Sequence, residues 1–372
     1  MRSRRATALI AMTAALALLA GCGPAAPADE GPAARPELSQ LTPVADPRSI
    51  VGPSTAVLPD DEVEVVENDA AQKLPATVTS YTQSGDEETE QVDATDRVVA
   101  VDLAGSIAAT AWALGFGDTL VGVDQSTTFP GTEDIQHVTS GGHTINAEAV
   151  IGLDPDVVIT DGTVGPRDVI EQLRDVGITV VFVDSDPSFD GAQDLARQVA
   201  AVYGATEAGE QLAERIADEV AATSADIARL MPDDENDRVR MVFLYLRGNA
   251  GVYYMFGEES GADELIEALG GIDVADELGW EGMRPMTDEA LLAADPDLIL
   301  TMTGGIESTG GIDGLLQEKP AIALTAAGQN ERIVDMDDGT VLSFGPRSAE
   351  VIEALARAVY APDSADAGDA SE

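Results

Sequence analysis

The chain has 372 residues, and its 20 Lys and Arg stand against 68 Asp and Glu, a formal net charge of −48. A field this negative repels nucleic acid and anionic lipid surfaces, so neither is an expected partner. The single cysteine excludes an internal disulfide and a cysteine-built metal site.

Residues 1–21 read as a secretory signal. Arg2, Arg4 and Arg5 precede a short apolar run, Ala8 to Ala20, too short to span a bilayer as a mature helix. The run ends in Leu-Ala-Gly-Cys at Cys22, the bacterial lipobox pattern, in which the cysteine is lipidated and becomes the new N-terminus. This predicts a protein held by acyl chains on the extracytoplasmic face of the cell membrane. Residues 22–73 are rich in Ala, Pro, Asp and Glu without a sustained apolar period, and read as a disordered tether. Alternation on both sides of SGDEE predicts a β-hairpin within 74–94.

From residue 95 strands and helices alternate. RVVAVD (97–102), LVGVD (120–124), DVVIT (156–160) and ITVVFVD (178–184) read as buried strands, with helices at 105–115, 146–153 and 166–176 between them. Such alternation specifies an α/β lobe on a mainly parallel sheet, here 95–205. A helix at 188–204 is followed by a longer one, assigned to 206–231. Its 25-residue core, 206–230, would run about 38 Å, enough to join two lobes. A second α/β lobe spans 232–360, opening with RVRMVFLYL (238–246), and an acidic tail covers 361–372.

An internal repeat relates the lobes. INAEAVIGLDPDVVIT (145–160) aligns without gaps to MTDEALLAADPDLILT (286–301), with six of sixteen positions identical, Glu148 and Glu289 among them. The expected fold is two Rossmann-like α/β lobes joined by a single long helix, with a cleft between them for a ligand.

Nucleotide-binding and hydrolase motifs are absent: there is no GxxxxGK[ST], no GxGxxG after a strand, no HExxH and no GxSxG. No enzyme is expected. His143, one of two histidines, ends a Gly-Gly loop just before the first repeat helix. It reads either as a cleft ligand or as a plain loop residue; His137 reads as a surface residue. Strand alternation puts Tyr245 and Arg247 on one side of their strand. A guanidinium beside a phenol favours the phenolate, and tyrosine is a known haem-iron ligand. Nitrogen from one lobe and phenolate from the other would hold the two axial faces of a single haem. No CxxCH occurs, so the haem would be bound non-covalently. Arg247, Arg284 and Arg347 are candidates for the haem propionates, and Trp112, Phe129, Met255 and Phe256 for covering the ring.

RVVAVDLAGSIAATAWALGFGDTLVGVDQSTTFP, SGGHTINAEAVIGLDPDVVITD and FLYLRG carry a resemblance. The region from about 95 to 360 resembles the substrate-binding proteins with a long linking helix (class III) that serve ABC importers. More narrowly it resembles actinobacterial haem-uptake lipoproteins of the HmuT type. The resemblance implies His143 and Tyr245 as axial ligands of haem b carried as cargo, Arg247 as support for the tyrosine, and Met302 as a haem contact. It implies Glu148 and Glu289 as docking residues for arginines of an ABC permease dimer, and haem-binding surface proteins as upstream donors. A ferric siderophore or cobalamin receptor on the same scaffold remains an alternative. A zinc or manganese receptor would need three or four His, Asp or Glu ligands, which two histidines six residues apart suit poorly.

Overall fold

The computed structural model describes residues 35–67, 72–82, 86–141 and 143–364. The expected signal segment, Cys22, Gly142 and most of the acidic tail lie outside the described residues.

The first sheet is built from runs of Val and Ile. Its order is Thr179–Phe182, Val157–Thr160, Val98–Val101, Leu120–Val123 and Gln136–His137, with every neighbouring pair parallel. All four side chains of Val98–Val101 and of Val157–Thr160 are buried, as in parallel strands covered by helices on both faces. The second sheet runs Ser54–Ala56, Ile333–Met336, Leu298–Met302, Arg240–Arg247, Val252–Phe256 and Met283–Pro285. Its first four strands are parallel. The last two turn back antiparallel. The reversal after Arg247 is made in one short turn closed by Gly251 at φ 65°, a left-handed conformation that glycine adopts without steric cost.

Between the lobes lies the helix Thr206–Ile227, 22 residues long and so roughly 33 Å. It ends at Ile227, four residues short of the expected range 206–231. The reason is local: Arg229 N–H bonds to Asp226 O and Leu230 N–H to Ile227 O, and such tightened i→i+3 bonds close the last turn. One continuous apolar cluster passes from the first sheet through this helix and the helices Phe189–Val202 and Ser348–Tyr360 into the second sheet. Two smaller clusters cover the outer faces of the two sheets.

The tether expectation is corrected for residues 35–67. Ser54–Ala56 is an edge strand of the second sheet, and Leu38, Leu58 and Val63 are buried. The buried Arg332 guanidinium donates to Gly52 O at 3.1 Å and to Ser54 Oγ at 2.6 Å. Further along, Arg347 donates to Asp61 O and Val66 N–H to Ala113 O. The segment is a strap laid from the second lobe to the first. Its anchors are isolated apolar residues and backbone pairs, which leave no periodic signal.

Candidate functional site

Tyr245 and Arg247 owe their position to strand period. Along Arg240–Arg247, Met241 and Phe243 face the shared inner core, whereas Val242, Leu244 and Leu246 face the outer cluster. Tyr245 and Arg247 continue the inner row to the carboxyl end of the strand. The neighbouring strand sets Tyr254 opposite Tyr245 and Phe256 opposite Phe243, and the rings of Tyr245 and Phe256 stack at 6.0 Å. On the other side Phe243 pairs with Leu300, so Met302 also falls on the inner face.

The Arg247 guanidinium carbon lies 4.4 Å from the Tyr245 ring centroid. The group donates to Asp338 Oδ2 at 2.7 Å and to Leu246 O at 2.8 Å, and its Nη2 is 4.0 Å from Met302 Sδ. Asp338 uses its other oxygen to accept Gly304 N–H at 2.8 Å. Arg247 thus stands as a cation over the face of the Tyr245 ring, held there by a carboxylate. Among the described residues the Tyr245 hydroxyl has no hydrogen-bond partner.

His143 comes from the first lobe. It has φ 57°, the left-handed region in which histidine is more common than most residues. The His143 loop is tied to the next loop by a backbone bond from Gly165 N–H to His143 O. Gln125 Nε2 sits 3.3 Å and 3.5 Å from the two ring nitrogens, and Gln125 is itself fixed by its N–H on Thr139 Oγ1. Burial, and then the charge of Arg247, push the His143 pKa below its ordinary value. The imidazole therefore stays neutral near pH 7, with a lone pair on one ring nitrogen.

Three carboxylates stand at the carboxyl end of the first lobe's sheet. Asp102 and Asp124 each follow the carboxyl end of a parallel strand, as does Asp161. Asp102 accepts Ser106 N–H at 2.9 Å and Ile107 N–H at 3.1 Å, and Asp124 accepts Ser126 N–H at 2.7 Å. Burial pushes Asp124 up to about 6 and, with repulsion from Asp124 and Asp161, pushes Asp102 well up. The lobes meet beside these loops. Ser106 Oγ is 3.3 Å from Ser343 Oγ, and a Cβ on Gly339 would fall 2.8 Å from Ser126 O, so only glycine allows that approach.

Of the residues expected at the site, Tyr245, Arg247, Met302 and Phe256 come together on the second lobe's inner face, and His143 lies on the first lobe beside Gln125. Others do not. Arg284 pairs with Met255, which is buried in the outer cluster. Directly opposed residues share a face, so Arg284 and Met255 lie across the sheet from Tyr245. Arg284 bonds Glu281 instead, at 2.9 Å. Arg347 is buried, lies over the Phe129 ring and bonds the strap. Phe129 is itself buried, and Trp112 packs edge-on against it at 5.4 Å; both belong to the core. Reasoning on the sequence missed Gln125 and Asp338. Nothing local distinguishes Asp338 from the other acids, whereas Gln125 directly follows the strand-ending Asp124. Among the described residues no group of three or more His, Cys, Asp or Glu is placed to hold a metal ion, and no helix is long and apolar enough to cross a membrane.

Two α/β lobes joined by one long helix match the architecture of substrate-binding proteins. The periplasmic binding protein family model matches residues 98–340, and the chain belongs to that family, whose members bind substrates rather than transform them. The crystal structure of a heme binding protein, HmuT, is 40% identical to this chain with a TM-score of 0.78, covering 85% of this chain and all of that one. Three further structures of HmuT carry an arginine, a tyrosine or a histidine replaced by alanine. The periplasmic heme-binding protein RhuT of Roseiflexus sp. RS-1 is 35% identical with a TM-score of 0.64, covering 73% of this chain and all of that one. A cobalamin-binding protein of Halobacterium salinarum is 27% identical over 84% of this chain and 81% of its own length.

Proposed function

We propose that this protein is an extracytoplasmic haem receptor, which takes haem b between its lobes and delivers it to the permease dimer of an ABC importer. One observation carries the reading: on the second lobe an arginine held by Asp338 covers the Tyr245 ring, and on the first lobe a histidine in left-handed backbone stands beside Gln125. Neutral nitrogen and phenolate oxygen together suit ferric haem. His143 supplies its lone pair without losing a proton. Tyr245 supplies its phenol oxygen, with the Arg247 guanidinium over the ring and Asp338 fixing that guanidinium. Met302 and Phe256 supply apolar surface beside the iron ligands, and the propionates point to solvent. Because no CxxCH is present, binding is reversible, as hand-over requires.

The remaining steps belong to the same reading. The segment 1–21 directs export, the lipid on Cys22 keeps the receptor at the membrane, surface proteins supply haem, and Glu148 and Glu289 meet arginines of the permease. The HmuT structures, two of whose substituted residues are a tyrosine and an arginine spaced as Tyr245 and Arg247 are here, support it. The Halobacterium relative favours a second reading, cobalamin. Titration with hemin and with cobalamin, followed by absorbance, separates the two: a Soret shift with hemin and no saturable change with cobalamin supports haem.

A further inference from the structure

The repeat is preserved in hydrogen bonds as well as in sequence. Asn146 caps the helix Ala147–Gly152 by accepting Ala149 N–H at 3.1 Å, and Thr287 caps Asp288–Ala294 by accepting Ala290 N–H at 3.1 Å. After each helix an aspartate takes left-handed φ, 48° at Asp154 and 42° at Asp295. Asp156 then accepts Arg97 N–H at 2.9 Å, and Asp297 accepts Arg240 N–H at 3.1 Å. The guanidinium of Arg97 donates to Leu153 O, and that of Arg240 to Ala294 O, both at 3.0 Å.

The same side chains reach solvent in both units. Val150 and Leu291 are fully buried, whereas Glu148 and Glu289 are exposed. One turn further, Ile151 and Leu292 are 36% and 42% exposed. Residues three apart on a helix share a face, so each unit offers a carboxylate beside an aliphatic side chain. Neither glutamate has an ion-pair partner among the described residues. Other aliphatics of the chain are also exposed, Val51 and Leu324 among them, but these two recur at equivalent positions of the repeat, each beside an exposed glutamate.

We propose that Ile151 and Leu292 complete, with Glu148 and Glu289, a duplicated docking surface. Its partner is a two-fold symmetric membrane protein that offers a basic side chain beside an apolar socket on each half. Charge complementarity sets the first requirement, and duplication within one chain sets the second, since one asymmetric receptor can match a two-fold partner only by carrying its patch twice. The proposal rests on the permease-docking reading above and adds the apolar half of the contact.

The test is the binding of haem-loaded receptor to the ABC importer of the same cell, reconstituted in lipid nanodiscs and followed by biolayer interferometry. Ile151→Ser and Leu292→Ser should each weaken binding about tenfold. Lying on separate lobes, they should combine to about a hundredfold, while Ile151→Leu keeps wild-type affinity and hemin titration is unchanged in all. If the double serine variant binds as wild type while Glu148→Ala with Glu289→Ala loses binding, the aliphatic contact is overturned and docking through the glutamates stands. If the glutamate pair also leaves binding intact, the docking reading itself falls, and this proposal with it.

Discussion

The Arg247 guanidinium stands over the Tyr245 ring at 4.4 Å and is anchored there by Asp338 at 2.7 Å. The carboxylate thus holds the arginine over the face of the phenol ring. Arg247→Ala is expected to weaken hemin binding about tenfold. Asp338→Asn should weaken it less, since the cation remains but is freer to move. Soret titrations of both variants check the order.

His143 sets the acid limit of binding. Its pKa lies below 6.5, first through burial and then through Arg247. The neutral ligand therefore persists as pH falls through 6.5, and binding weakens only when the pH passes the lowered value. Removing the Arg247 charge raises that value. In Arg247→Ala the loss of affinity should thus begin at a higher pH than in wild type, measured as hemin affinity between pH 4.5 and 7.5.

Buried Asp124 has the opposite sign for stability. Its native pKa, about 6, is above the ordinary 3.8, so between these values the folded state binds more protons than the unfolded one. Its contribution is fully present below 3.8 and is lost as pH rises through 6. The melting temperature of Asp124→Asn, scanned from pH 4 to 7, should therefore fall less across this window than that of wild type.

The strap should be part of the cooperative fold. Arg332→Met would leave Gly52 O, Ser54 Oγ and the carbonyls of Ala358 and Val359 without their shared donor. A loss of about 3 kcal/mol is expected, with protease cleavage appearing within 50–67. Denaturant unfolding and timed proteolysis check both.

Much of this was legible before the structure because the relevant signals are local. VVAV and VVIT mark strands buried on two faces, and period two along Arg240–Arg247 aligns Tyr245 with Arg247. The glycine loop marks His143 as a residue held in unusual backbone. Arg284 was misread because its face depends on a register passed through two antiparallel pairings, from Leu244 to Met255 and on to Arg284. Trp112 and Phe129 look like free aromatics in sequence, and only the tertiary fold shows that they pack on each other. Asp338 and the strap escaped for related reasons. One is an acid among many, and the other is held by long-range backbone bonds that no short window contains.

The central claim is that His143 and Tyr245, from opposite lobes, hold one haem iron. Hemin titration of wild type, His143→Ala, Tyr245→Phe and the double variant, read at the Soret band, tests it most directly. The account predicts a wild-type Soret shift that is altered in each single variant, with about a tenfold or greater loss of affinity, and is abolished in the double variant. Unaltered Soret position and affinity in the double variant would contradict it.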